Sequence, residues 1–297
     1  MHPPFPNLRT GMSSPAFHLL TVLFCAAFFF GCRGSAAAHG SLDAQIAAFT
    51  EALAAKPADP ELLLLRANAH GLHKDWPAAA QDIAAAEKAG ANAGLVALAR
   101  AGLAVAQGDW DAAARELPVL KRELPEHVDA WRLAALVHTT RGEKAGAVAV
   151  WRTVIGKAAP PRPDDVISLA RALHATGADD EAIAALEAGA QSLGEISVFL
   201  EEAAQIEEAR RQWDAALARL DRLLAQSPNS PRWLARKATL AERAARPALA
   251  AATRRAALEA LEALPLSRRS TPAFAELEQT LRAQLARPAS PDPSRSP

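Results

Sequence analysis

Apolar and polar positions alternate along this chain with the period of helices rather than strands. The segment PELLLLRANAHGLH, Pro60 to His73, and the segment PAAAQDIAAAEKAG, Pro77 to Gly90, each predict one helix. Pro60 and Pro77 suit the first helical turn, where a missing N–H costs nothing. The segment SLDAQIAAFTEALAA, Ser41 to Ala55, predicts a further helix ahead of this pair. Near the far end, Phe274, Leu277 and Leu281 fall at helical spacing within TPAFAELEQTLRAQLA, Thr271 to Ala286. The final stretch RPASPDPSRSP has no such period and predicts a disordered tail over 287–297.

The pair of helices recurs. KDWPAAAQDI at Lys74–Ile83 returns as GDWDAAAREL at Gly108–Leu117 and as RQWDAALARL at Arg211–Leu220. On a ruler of thirty-four residues, one column reads Ala67, Ala101, Ala135, Ala170, Ala204 and Ala238. Twelve residues on, a second reads Ala79, Ala113, Ala147, Ala182, Ala216 and Ala250. One step in each column is thirty-five, and the loop APPRP, Ala159 to Pro163, absorbs the extra residue. A period of this length signals stacked supersecondary units. Alanine suits the points where two helices of a hairpin cross closely, because it is small and carries no helix-propensity penalty. Gly108, Gly142 and Gly177 share a column between the two helices, where a left-handed cap would close the first. Trp76, Trp110 and Trp213 begin the second helix and are expected to fill the gap against the helix before it.

These columns resemble those of the tetratricopeptide repeat family. The resemblance covers residues 60–264 as six units, with a partial unit at 41–59 ending in the family's proline, here Pro57. It implies an all-α fold, a right-handed α-solenoid of antiparallel helix pairs, with a C-terminal cap helix within 265–286. The sixth unit departs from the pattern: Arg254 replaces an apolar residue and Pro247 the tryptophan. Terminal solenoid units are often atypical because one face meets water.

Composition changes the picture in two ways. Lys plus Arg and Asp plus Glu each number 33, so the chain lacks the basic surplus of a nucleic-acid binder, and no nucleic acid is expected as partner. The only cysteines, Cys25 and Cys32, lie in the N-terminal segment, which excludes a disulfide framework in the body. That segment has one Arg in its first 18 residues, then thirteen uncharged residues, Leu19 to Gly31, then small residues. This is the plan of a secretory signal, and the run is too short for a membrane-spanning helix. Two exits compete. The tetrapeptide FFGC, Phe29 to Cys32, resembles the lipobox of bacterial lipoproteins, which prefers Leu where Phe29 stands and a small residue where Phe30 stands. That exit removes 1–31 and lipidates Cys32, anchoring the protein to a membrane. Ala36 to Ala38 offers a signal-peptidase site instead, removing 1–38. Either places the body in the bacterial cell envelope, in the periplasm or attached to the outer membrane.

Candidate chemistry is sparse. His70 and His73 stand one helical turn apart, but His70 shares a column with His138 and reads as packing, so no metal site is expected. Glu201, Glu202, Glu207 and Glu208 offer carboxylate pairs but read as a solvated helix face. No nucleophile elbow, phosphate loop or zinc-protease motif is present, and the repeat consumes nearly the whole mature chain. No catalytic residue and no cofactor are therefore expected, and the chain reads as no enzyme.

The resemblance implies a concave face lined by the first helix of each unit. Three positions per unit, counted from the first alanine column, supply the candidate groove. They include Leu64, Asn68, Leu98, Val105, Arg132 and Leu136 toward the N-terminus, and Arg171, His174, Glu201, Gln205 and Glu208 further on. The groove is thus expected to pass from apolar to charged and to bind a protein or peptide partner. The competing expectation is that the apolar positions bury against the helix at 41–55 or against a second copy of the chain. In some relatives a Lys and an Asn clamp a terminal carboxylate. Asn68 matches, but Leu64 stands where the Lys should be, which speaks against that mode. The function expected is a non-enzymatic scaffold or adaptor in envelope assembly. The alternative is an accessory subunit of an enzyme or of a cofactor- or metal-maturation complex, including metal delivery through an N-terminal His39.

Overall fold

The structure is a computed structural model and describes residues 36–286, with side chains from Leu42 onward. The expected export signal up to residue 35, Cys32 and the 287–297 tail lie outside the described residues, as does the side chain of His39. Among the described residues there are fifteen helices and no strand. The chain divides into two compact units, Met1–Ala159 and Pro160–Pro297. The division falls at the Pro-rich loop where the repeat ruler gains its extra residue.

In the first unit, α1 (Ala36–Ala55) precedes three hairpins. These are α2 (Pro60–Leu72) with α3 (Trp76–Lys88), α4 (Ala93–Gln107) with α5 (Trp110–Glu123), and α6 (Val128–Thr140) with α7 (Lys144–Lys157). The second unit continues with α8 (Pro163–Ala175) and α9 (Asp179–Leu193), α10 (Ser197–Ala209) and α11 (Trp213–Gln226), and α12 (Pro231–Arg243) and α13 (Pro247–Glu262). A short α14 (Leu266–Arg269) and the cap α15 (Pro272–Ala286) close it. Within each unit the helices of a hairpin pack on each other and hairpin follows hairpin in contact, and α15 lies on α13.

All twelve alanines of the two columns are buried, none more than 3% exposed. They stand where the helices of a hairpin approach, as the ruler predicts. Local chemistry sets the ends. Asp59, Asp75, Asn92 and Asp109 each cap a helix by accepting backbone N–H bonds in its first turn. The acid before Trp76 and before Trp110 is thus the N-cap. Gln212, before Trp213, makes no such bond. The three tryptophans are half-buried rather than core residues. Trp213 packs on the cluster of Leu200, Leu217, Leu220, Trp233 and Leu240, with the Arg243 guanidinium 5.5 Å above its ring. Trp151 is fully buried.

The turn position of Gly108, Gly142 and Gly177 has φ of 78°, 71° and 82°, in the left-handed region. The same column in the other hairpins holds Lys74, Arg211 and Ala245, at 65°, 58° and 57°. The turn geometry is therefore kept in all six hairpins, three times without the residue that adopts it freely. In the last hairpin Arg254 is buried in an otherwise apolar column, donating to Glu242 and, at 3.0 Å, to Gln284 of α15. The departure from pattern is thus the attachment of the cap.

Candidate functional site

The first helices carry the candidate groove, and the two units treat it differently. In the first unit Leu64, Asn68, Leu98, Val105 and Arg132 are all buried, Leu64 to 1% exposure. Leu64 lies in one cluster with Leu53 of α1, Leu63, Ile83 and Val96. Successive first helices pack on each other, α2 on α4 and α4 on α6. The expectation that these residues line an open apolar groove is corrected: their side chains are buried within the unit. Burial against the helix at 41–55, the competing expectation, holds for Leu64. Arg132 is held by Asp129 at 2.8 Å, both of them buried. Leu136 is half-buried.

Thr139 of the first unit is exposed, and in the second unit the groove positions other than Ile167 are accessible or half-buried. Arg171, His174 and Gln205 are exposed, and Glu201 and Glu208 are half-buried. Arg171 makes a two-pronged contact with Glu202, at 2.9 and 2.7 Å, which raises the Arg171 pKa. Glu201 accepts from Arg232 at 2.9 Å, and Glu208 from Arg236 at 3.5 Å and from Arg243. His174 Nδ1 lies 2.6 Å from Asp179. The face is therefore a lattice of paired charges, with Gln205 and Thr239 as uncharged exposed positions of one column. The solvated carboxylate face expected over 201–208 is corrected as well. Glu202 and Glu207 are buried, each against an arginine of a neighbouring helix.

The burial of Glu207 escaped the sequence reading, which placed it on a solvated face. It is 3% exposed, and its Oε1 accepts from Arg219 at 3.1 Å. Its Oε2 has no hydrogen-bond partner, and burial pushes its carboxyl above the usual range. Its repeat column contains His70 and His138, each of which also has a buried ring nitrogen lacking a hydrogen-bond partner. The signal was available: a polar residue in a column whose other members are Ala104, Leu173 and Ala241.

Arg219 also belongs to a cleft of about 280 Å³ among α9, α10 and α11. Its floor is Leu186, Ala190, Phe199, Leu200 and Ala203, and its walls carry Glu187, Gln191, Glu195 and Arg222. Arg219 donates to Glu187 at 2.7 Å as well as to Glu207. Arg222 clasps Glu195 at 3.2 and 2.6 Å and holds that carboxyl below its usual range. No group of three or more metal-ligating side chains converges among the described residues.

Comparison with known proteins places these features. Residues 98–163 match the family model of the tetratricopeptide repeat. No curated protein matches the chain. Among solved structures, the C-terminal part of a TPR repeat-containing protein from Cytophaga hutchinsonii is similar at 13% identity with a TM-score of 0.61. That match covers 88% of this chain and 98% of the other. A tetratricopeptide repeat protein from Parabacteroides merdae is similar at 14% identity and a TM-score of 0.50, covering 89% and 99%. Pseudomonas aeruginosa pilF is similar at 15% identity and 0.53, covering 73% and 95%. Likeness at such identities establishes the fold. The chain thus carries a tetratricopeptide repeat match over 98–163 and has, through its described residues, the all-helical fold of tetratricopeptide repeat proteins.

Proposed function

We propose that the protein is an exported, non-enzymatic scaffold that binds a protein or peptide partner on the first-helix face of its second unit. The observation that carries this reading is the contrast between the units. The position one residue after the alanine column is buried or half-buried in the first, at Asn68, Gly102 and Leu136, and exposed in the second, at Arg171, Gln205 and Thr239. A face of alternating paired charges selects a partner and speeds encounter more than it adds raw affinity. Export rests on the N-terminal segment. Its charge-poor start, thirteen-residue apolar run and small-residue exit address the chain to the bacterial envelope, with release after Ala38 or lipid anchoring at Cys32.

The test begins with capture from envelope extract by the full chain and continues with the captured protein in purified form. Changing Gln205→Arg together with Thr239→Arg places two cations in one exposed column. Affinity should fall by about tenfold or more while the helical spectrum is unchanged, since neither side chain is packed. Unchanged affinity for the purified partner in the double variant would overturn the assignment of this face.

A further inference from the structure

Charge is segregated within the second unit and mixed within the first. Residues 164–208, from α8 to α10, hold eleven acids and one base. Residues 209–286, from α11 to α15, hold fourteen bases and seven acids. In the first unit, residues 42–107 hold seven acids and five bases, and residues 108–159 hold seven acids and eight bases. A mixed pattern cancels most of its own field at a distance, whereas two opposed blocks attract beyond their direct contacts.

The blocks meet at the seams between hairpins. Arg210 pairs with Asp180, and Arg219 with Glu187, across the seam from the α8–α9 hairpin to the α10–α11 hairpin. Arg232 pairs with Glu201, and Arg243 with Glu208, across the seam to the α12–α13 hairpin. In each of these pairs the cation stands on the later hairpin. Arg171, the one base of the acidic block, is held within it by Glu202. Dissolved ions reach the first seam, because the side chain of Asp180 is 87% exposed and that of Glu187 53%. Beneath the charges, an apolar cluster including Leu217, Leu220, Trp233 and Leu240 spans the last two hairpins.

We infer that ionic strength regulates the second unit: salt loosens its hairpin seams while the first unit keeps its own. Pairs in contact attract more strongly than the spaced like charges of one block repel. Screening shortens the reach of a charge from about 10 Å at 0.1 M salt to about 3 Å at 1 M, so the attraction between the blocks is what salt removes. The apolar cluster stays, so the response is loosening rather than unfolding. Arg171, Glu201 and Glu208 belong to these pairs, so the same screening sets how freely the charges of the first-helix face move. The inference stands whether or not that face binds a partner.

Hydrogen exchange of the full chain, followed peptide by peptide at roughly 0.02 M and 0.5 M NaCl, reads the seams directly. Amide protection in α9 to α12 should fall by about threefold or more at the higher salt, the scale of an exposed ion pair lost. Protection in α2 to α6 is the internal control and should hold. Changing Asp180→Asn, Glu187→Gln, Glu201→Gln and Glu208→Gln together removes four of the eleven acids. Protection in this variant should already be low at low salt and should respond little to NaCl. Three results would each overturn the inference: protection in α9 to α12 unchanged by NaCl, a fall of equal size in both units, or a full salt response in the fourfold variant. If that variant does not fold, the comparison of the two units within the unaltered chain still decides. No partner enters the measurement, so its failure leaves the capture experiment on Gln205 and Thr239 untouched, and the reverse also holds.

Discussion

One backbone position sets the turn of every hairpin, and its side chain is glycine only half the time. Ala245 holds φ of 57° with no glycine freedom, so Ala245→Gly should raise stability by about 1 kcal/mol, read from the urea midpoint. Gly142→Ala should lower it by about the same amount, since its φ is 71° and open space surrounds the position, leaving the conformation as the sole cost. Caps give a second lever. Gln212 stands where Asp75 and Asp109 accept a first-turn N–H bond, so Gln212→Asp should add about 1 kcal/mol. Glu207 gives a pH dependence whose sign follows from its raised pKa. Its burial favours the protonated form, so its contribution is fully present below the unfolded carboxyl value and is lost as pH rises through the folded one. Stability of Glu207→Gln relative to wild type should therefore improve from acidic to neutral pH, in paired denaturation curves. A flat difference across that window would contradict the assignment.

At the scale of helices, close approach is the rule that the alanine columns announce. Ala135 is wholly buried between α6 and α7, and Ala135→Leu should cost about 1–3 kcal/mol by overpacking. Gly189 of α9 is tighter still: a Cβ there would lie 2.7 Å from Val166 Cγ1 and 3.3 Å from Phe199 Cζ. Gly189→Ala should destabilise the second unit although alanine favours helices, and a chemical denaturation curve decides. This is where sequence was most and least informative. Helix type, pairing and the crossing alanines were legible because each leaves a mark at fixed spacing. The burial of Leu64, Leu98 and Val105 was not. It depends on neighbouring first helices and α1 closing over them, which no single-helix period encodes. Nor were the ion pairs between hairpins, such as Arg171 with Glu202 and Arg210 with Asp180, since each joins residues thirty or more apart. One consequence is practical: reversing Arg171 would strand the buried Glu202, so Gln205 and Thr239 are the cleaner probes of the face.

For the whole molecule, two statements await measurement: where the mature chain starts and where its partner sits. Intact mass of exported material decides the first. A chain starting at His39 means soluble release, a diacylglycerol adduct on Cys32 means anchoring, and an intact Met1 in the envelope fraction would contradict both. The second is the central claim, and site-specific photo-crosslinking in living cells tests it most directly. A photoreactive residue at Gln205 of α10 lies on the first-helix face of the second unit, while one at Ala218 of α11 is exposed on the second helix of the same hairpin. A discrete adduct with one partner from position 205, absent from position 218, is the predicted result. An adduct from position 218 and none from position 205 would contradict it.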